Sequence, residues 1–156
     1  MGFIQRPMLK PMIDFIESSP LVSGKIIPMA FDSSSAPESA ALAYLGKTRP
    51  TLFKDVTNGK LLTKSASFGL LIRRFTNDPF IREDTADFLS QFEDWIEYED
   101  VMRENSLYPM FSDTDYQRMV ASNAMWWENA STNLDVYQIQ INVEWQTEYI
   151  IKKNGW

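Results

Sequence analysis

Between Leu134 and Ile151 the side chains alternate in character at every step. Tyr137, Ile139, Ile141, Val143, Trp145, Thr147 and Tyr149 fall on one side, and Gln138, Gln140, Asn142, Glu144, Gln146 and Glu148 on the other. Successive side chains of a strand point to opposite faces, so this period of two demands a long strand with one apolar and one wet face. A helix would scatter the same residues around its cylinder. The apolar set is aromatic and β-branched, which suits a pleated surface. Such a strand belongs centrally in an antiparallel sheet with a helix beneath its apolar face.

Composition narrows the chemistry. The chain of 156 residues is 44% hydrophobic and 13% aromatic, enough for one domain with a real core spanning 1–156. It contains no Cys and no His. Disulfides, thiol catalysis, thiolate zinc sites and a Ser-His-Asp triad are therefore excluded, together with the commonest general base. What remains for an enzyme is a carboxylate pair or a carboxylate metal site. The net charge of −6 argues against a general nucleic-acid binder and is compatible with a wall past which DNA slides. No apolar run reaches the length of a membrane span and no signal peptide opens the chain, so an intracellular site of synthesis is expected.

Before the long strand, the pattern predicts a sequence of shorter elements. Pro11 suits the first turn of a helix running to about Ser18, with Met12, Ile13, Phe15 and Ile16 as its apolar side. Ile26 to Phe31 is an edge strand or loop because of Pro28. Residues 32–39 form a loop, and Ala40 to Leu45 a short strand stopped by Gly46. Asn58-Gly59 joins Thr51–Val56 to Lys60–Phe75 as a hairpin, since both residues tolerate positive φ. The run Phe68-Gly69-Leu70-Leu71-Ile72 implies burial on both faces. After a turn at Asn77-Asp78-Pro79, Asp84 or Thr85 caps a helix to about Glu104 whose stripe is Phe88, Leu89, Phe92, Trp95, Ile96 and Met102. Tyr116 to Trp127 alternates again and pairs with the last strand through a loop at Glu128–Asn133. The expected architecture is α+β: a mainly antiparallel sheet with long hairpins, packed against a long acidic helix and a shorter N-terminal one.

Three constellations carry possible function. Glu144 and Glu148 lie on the wet face of the last strand and offer a carboxylate pair for acid–base work or Mg²⁺, against the simpler reading of a solvated sheet face. Charge is segregated: Lys47, Arg49, Lys54, Lys60, Lys64, Arg73, Arg74 and Arg82 precede the helix that carries Glu93, Asp94, Glu97, Glu99, Asp100 and Glu104. Two such surfaces are either neighbours within one subunit or partners in a head-to-tail contact, which generates rings. Adjacent Trp126 and Trp127 face opposite sides of a strand, and Trp156 ends the tail, so either an interface or the chain's own domain must cover them.

The order of elements, with Phe92-Glu93-Asp94-Trp95-Ile96, Leu107-Tyr108-Pro109-Met110 and Tyr137-Gln138-Ile139-Gln140, resembles the small minor capsid proteins of tailed phages of Gram-positive bacteria, which look like tail-terminator (tail-to-head joining) proteins. The likeness covers roughly residues 40–149. It implies a hexameric ring that caps the tail tube and docks to the neck, with no catalysis, no metal and no cofactor. The partners it implies are further copies of the chain, the tail tube protein and the neck or connector protein. DNA passes through the lumen without specific binding, no membrane is involved, and the product is made in the host cytoplasm and ends in the virion. For the ring joint, the charge pattern nominates Lys64, Arg73 and Arg74 against Glu93, Glu97 and Asp100, with Trp156 docking on a neighbour. For axial docking the loop tips nominate Asp32, Ser35, Lys54, Asn58, Gly59 and Lys60. The rival readings are a metal-dependent enzyme using Glu144 and Glu148, and a monomeric acidic adaptor or inhibitor.

Overall fold

The computed structural model describes residues 8–22, 25–29, 39–56, 59–75, 79–112, 114–131 and 134–150. Helix α1 (Leu9–Glu17) opens it and buries Met12, Phe15 and Ile16, the i, i+3, i+4 stripe expected of an amphipathic helix. It starts two residues before Pro11, which still sits in the first turn, where no amide donor is needed. The Glu17 carboxylate then accepts the Ile26 amide at 2.7 Å and fixes the chain for β1 (Ile26–Pro28). Pro28 is the last residue of that edge strand, and Met29 follows at φ 72°.

Strand β2 (Ala40–Lys47) pairs parallel with β1 and antiparallel with β4 (Gly59–Phe75). Gly46 does not stop it, contrary to the sequence expectation. At φ 119°, glycine absorbs a register shift between Tyr44 and Gly46, and pairing resumes to Lys47. Strands β3 (Thr51–Val56) and β4 (Gly59–Phe75) form the predicted hairpin one residue out of phase. Asn58 lies outside the described residues, and Val56 pairs with Gly59, so Gly59 belongs to the ladder. There its missing side chain matters for another reason, because a Cβ would run into the carbonyl oxygen of Tyr149.

The centre of the molecule is the pairing of β4 with β6 (Leu134–Ile150). Each strand has 17 residues, and the register runs from Gly59 opposite Ile150 to Phe75 opposite Leu134 without a bulge. The six-stranded sheet has the order β1-β2-β4-β6-β5, where β5 is Gln117–Ser131, with β3 beside the first part of β4. On one face Phe68, Leu70, Ile139, Ile141 and Val143 are fully buried in the main core. The opposite face buries a smaller cluster of Ala41, Leu71 and Val136, which accounts for the unbroken apolar run at 68–72.

Helix α2 (Pro79–Met102) begins five residues before the expected cap, with Pro79 as its first residue. Proline is preorganised for that position and loses no hydrogen bond there. Leu89, Phe92 and Ile96 enter the main core. The helix lies chiefly across β5 (Gln117–Ser131) rather than over β6, while α1 covers the β1–β2 flank. The helices meet where Phe15 stacks on Trp95 with ring centroids 4.8 Å apart.

Strand β5 runs on to Ser131, so Glu128–Ser131, expected in a loop, belong to the strand. Its alternation also breaks. Asn123 adopts φ 55° and the register shifts between Ser122 and Met125. Met119 and Ala121 are core residues, but beyond the bulge the phase inverts. Ala124 packs against the core and Met125 is 52% exposed, whereas unbroken alternation from Met119 and Ala121 would have put Met125 on the core side.

Candidate functional site

On the acidic helix, Asp100 stands where contacts to β5 within the chain meet an open trough. The Asp100 carboxylate accepts the Tyr108 hydroxyl at 2.6 Å, the Met119 amide at 2.9 Å and an Arg103 nitrogen at 3.4 Å. Arg103 follows the helix in the left-handed region, at φ 51°. It donates to the Gln117 carbonyl and to the Asp100 carbonyl, and its guanidinium lies 5.1 Å from the Tyr108 ring centre. Burial, reinforced by the bond to Asp100, pushes the Tyr108 hydroxyl pKa far up, so it remains a donor. Asp100, nominated for a subunit contact, is thus committed to joining α2 to β5 inside the chain. Its neighbour Glu99 is buried, and burial, then the charge of Glu104, raises its pKa.

Two turns earlier on the helix, Glu93, Asp94 and Glu97 border an open trough whose other wall is the start of β5. Its apolar surface includes Val101, 71% exposed, and Val120, 42% exposed. Arg118 is the basic residue in it. The trough keeps Glu93 and Glu97 from the nominated set and adds residues that charge counting missed. The sequence signal for them was Val101 interrupting the acidic run and Val120 on the polar side of β5.

The basic residues separate in the same way. Arg74 binds Asp84 at 2.9 Å, with its guanidinium 5.9 Å from the Phe88 ring centre, so it serves the α2–β4 packing. Arg73 points to the other face, donates to the Ser39 hydroxyl at 3.2 Å and is joined by its backbone to the same residue. Lys64 reaches along the sheet to the Tyr149 hydroxyl and lies 4.8 Å from that ring centre. Lys60 is exposed and stands opposite Tyr149 in the ladder. Lys60, Lys64 and Tyr149 share one face at this end of the ladder and Ile150 projects from the other, so the end is a basic and apolar tip, with Tyr149 41% and Ile150 68% exposed. Gly59 is buried in the ladder rather than carried on a loop tip. Lys54 belongs to β3 by its backbone. Asp32, Ser35, Asn58 and Trp156, and the side chains of Lys54, Trp126 and Trp127, lie outside the described residues.

The face of the sheet away from the helices is polar and cross-linked by its own side chains. Ser67 donates to Asn142 at 2.6 Å, Gln140 to Asn142 at 3.3 Å and Asn123 to Gln140 at 3.2 Å. Glu144 accepts the Tyr116 hydroxyl, and that bond, followed by burial, raises the Tyr116 pKa. Glu148 lies four residues further along the same strand face, so the two backbone positions are about 13 Å apart at roughly 3.3 Å per residue. Among the described residues no group of three Asp or Glu side chains is arranged to hold a metal ion. Among them, too, no helix is long and apolar enough to cross a membrane. No protein-family model matches the chain, and no curated protein matches it.

Proposed function

We propose that this chain is a structural virion protein: a tail terminator, or head–tail joining subunit, that acts as a ring of identical copies capping a phage tail tube and docking to the neck. The observation that carries this reading is the presence of two unlike surfaces on one subunit, an acidic trough beside α2 and a basic, apolar tip at the Gly59–Ile150 end of the β4–β6 ladder. Unlike surfaces on one subunit favour head-to-tail association, and such association closes into rings when the rotation per subunit divides a full turn. The resemblance in element order supplies the tail context and the expectation of six copies. The charge balance fits a conduit, since a chain of net charge −6 repels phosphate and lets DNA pass without specific contacts.

The mechanism is geometric. One rim of the ring matches the last ring of the tube and ends its growth; the other receives the connector. Native mass spectrometry across concentration, with negative-stain imaging of the same sample and of the sample mixed with tail tubes, tests it. Closed rings, free or seated on tube ends, are the expected result. A protein that stays monomeric at every concentration and leaves tube ends bare would refute it.

A further inference from the structure

We infer that the ring joint is made by the β4–β6 tip of one copy seated in the α2–β5 trough of the next. This rests on the ring reading and specifies its contact. The tip offers Lys60 and Lys64 beside exposed Tyr149 and Ile150. In the trough, Glu93, Asp94, Glu97 and Asp100 stand around exposed Val101 and Val120, so four carboxylates, the last of them held by Arg103 within the chain, stand against the single guanidinium of Arg118. Each surface therefore pairs charge with apolar area, and the two are complementary in sign. Apolar side chains give such a joint its burial, while the charges select register and partner.

The fold also determines how the contact is made. An edge strand such as β5 invites a further strand to pair with its backbone. Here the outward amide of Met119 is taken by Asp100 and the outward carbonyl of Gln117 by Arg103. Further along, the bulge between Ser122 and Met125 bends the edge away from regular pairing. The neighbour is accordingly held through side chains and not by extending the sheet. Such a joint depends on the tip and trough residues themselves.

Two variants test this: Glu93→Lys with Glu97→Lys, and Lys60→Glu with Lys64→Glu. Each alone needs about tenfold more protein to assemble than wild type, as expected when two charge pairs become repulsive. Mixed in equal amounts, they assemble near the wild-type concentration, because the tip of each now suits the trough of the other. Circular dichroism and melting curves confirm that both fold. Because the chain has no Cys, a Val101→Cys, Ile150→Cys double variant provides an independent check. Oxidation yields a covalent ladder of copies, whereas either single variant stops at dimers. If wild type forms rings but the reversed variants assemble unchanged and the double-cysteine protein gives no ladder, this joint is wrong and the ring reading survives. If wild type forms no rings, free or on tube ends, and the double-cysteine protein gives no ladder, both are wrong.

Discussion

A single carboxylate, Asp100, fastens three parts of the chain, and its removal is the most damaging point change the polar contacts suggest. In Asp100→Ala the Tyr108 hydroxyl, the Met119 amide and one Arg103 nitrogen lose their acceptor together. Leaving such groups unpaired in a part-buried site costs about 3 kcal/mol, so urea denaturation is expected to show that loss, with Tyr108→Phe costing about half as much. Glu99 acts in the opposite sense. Its folded-state pKa is raised by burial and by Glu104, so the folded chain holds that proton more tightly than the unfolded chain does. Its favourable contribution is complete below the unfolded pKa and disappears as pH rises through the folded one. Glu99→Gln should therefore melt above wild type near about pH 7, and the gain should vanish near about pH 3, in parallel thermal scans. In the sequence Glu99 and Asp100 are two acids in a run of acids. Which turn of the helix meets β5 is a tertiary fact, and composition assigns them all to one solvated face.

At the level of elements, Gly59 illustrates how a correct element can have an incorrect reason. The Asn58-Gly59 pair signalled the hairpin, yet the glycine is needed where β4 approaches the carbonyl of Tyr149. Gly59→Ala is expected to spread the end of the β4–β6 ladder. Hydrogen exchange should then speed up at Glu148–Ile150 while the amides of Phe68–Leu70 keep their protection, because the disturbance is local. The strands and helices were legible because their cause is local: a period of two over 134–150 and an apolar helical stripe at Leu89, Phe92 and Ile96. The bulges were not. Asn123 at φ 55° reverses the phase of β5, and nothing in the alternation of Tyr116 to Trp127 marks the reversal except an asparagine, which tolerates that conformation. The start of α2 was misplaced for a similar reason. Pro79 was read as part of a turn, although proline is also well suited to a helix's first residue.

For the whole molecule, the charged rims of tip and trough imply an assembly sensitive to salt. Exposed pairs lose most of their attraction beyond a Debye length of roughly 8 Å at physiological ionic strength and roughly 3 Å at 1 M. Sedimentation velocity should show assembly weakening between those conditions while the melting temperature of the monomer, which depends on buried Phe15, Phe68 and Phe92, stays nearly constant. Of the ring nomination made from charge, Glu93, Glu97 and Lys64 stay with the proposed joint, and Lys60 comes to it from the axial-docking set. Arg74, Arg73 and Asp100 were not separable from them, since a side chain's commitment to Asp84, Ser39 or Tyr108 depends on the face it occupies. One feature of the sheet also bears on how the subunit carries load. The three strands that flank the central pair, β2, β3 and β5, all contain register shifts, whereas β4 and β6 have none. Tension along the strands therefore stretches the ladder bonds of the central pair side by side, in shear, instead of opening them in succession. The subunit behaves as a stiff spar with compliant margins, able to pass a pull from one end to the other while its flanks give way to fit their neighbours.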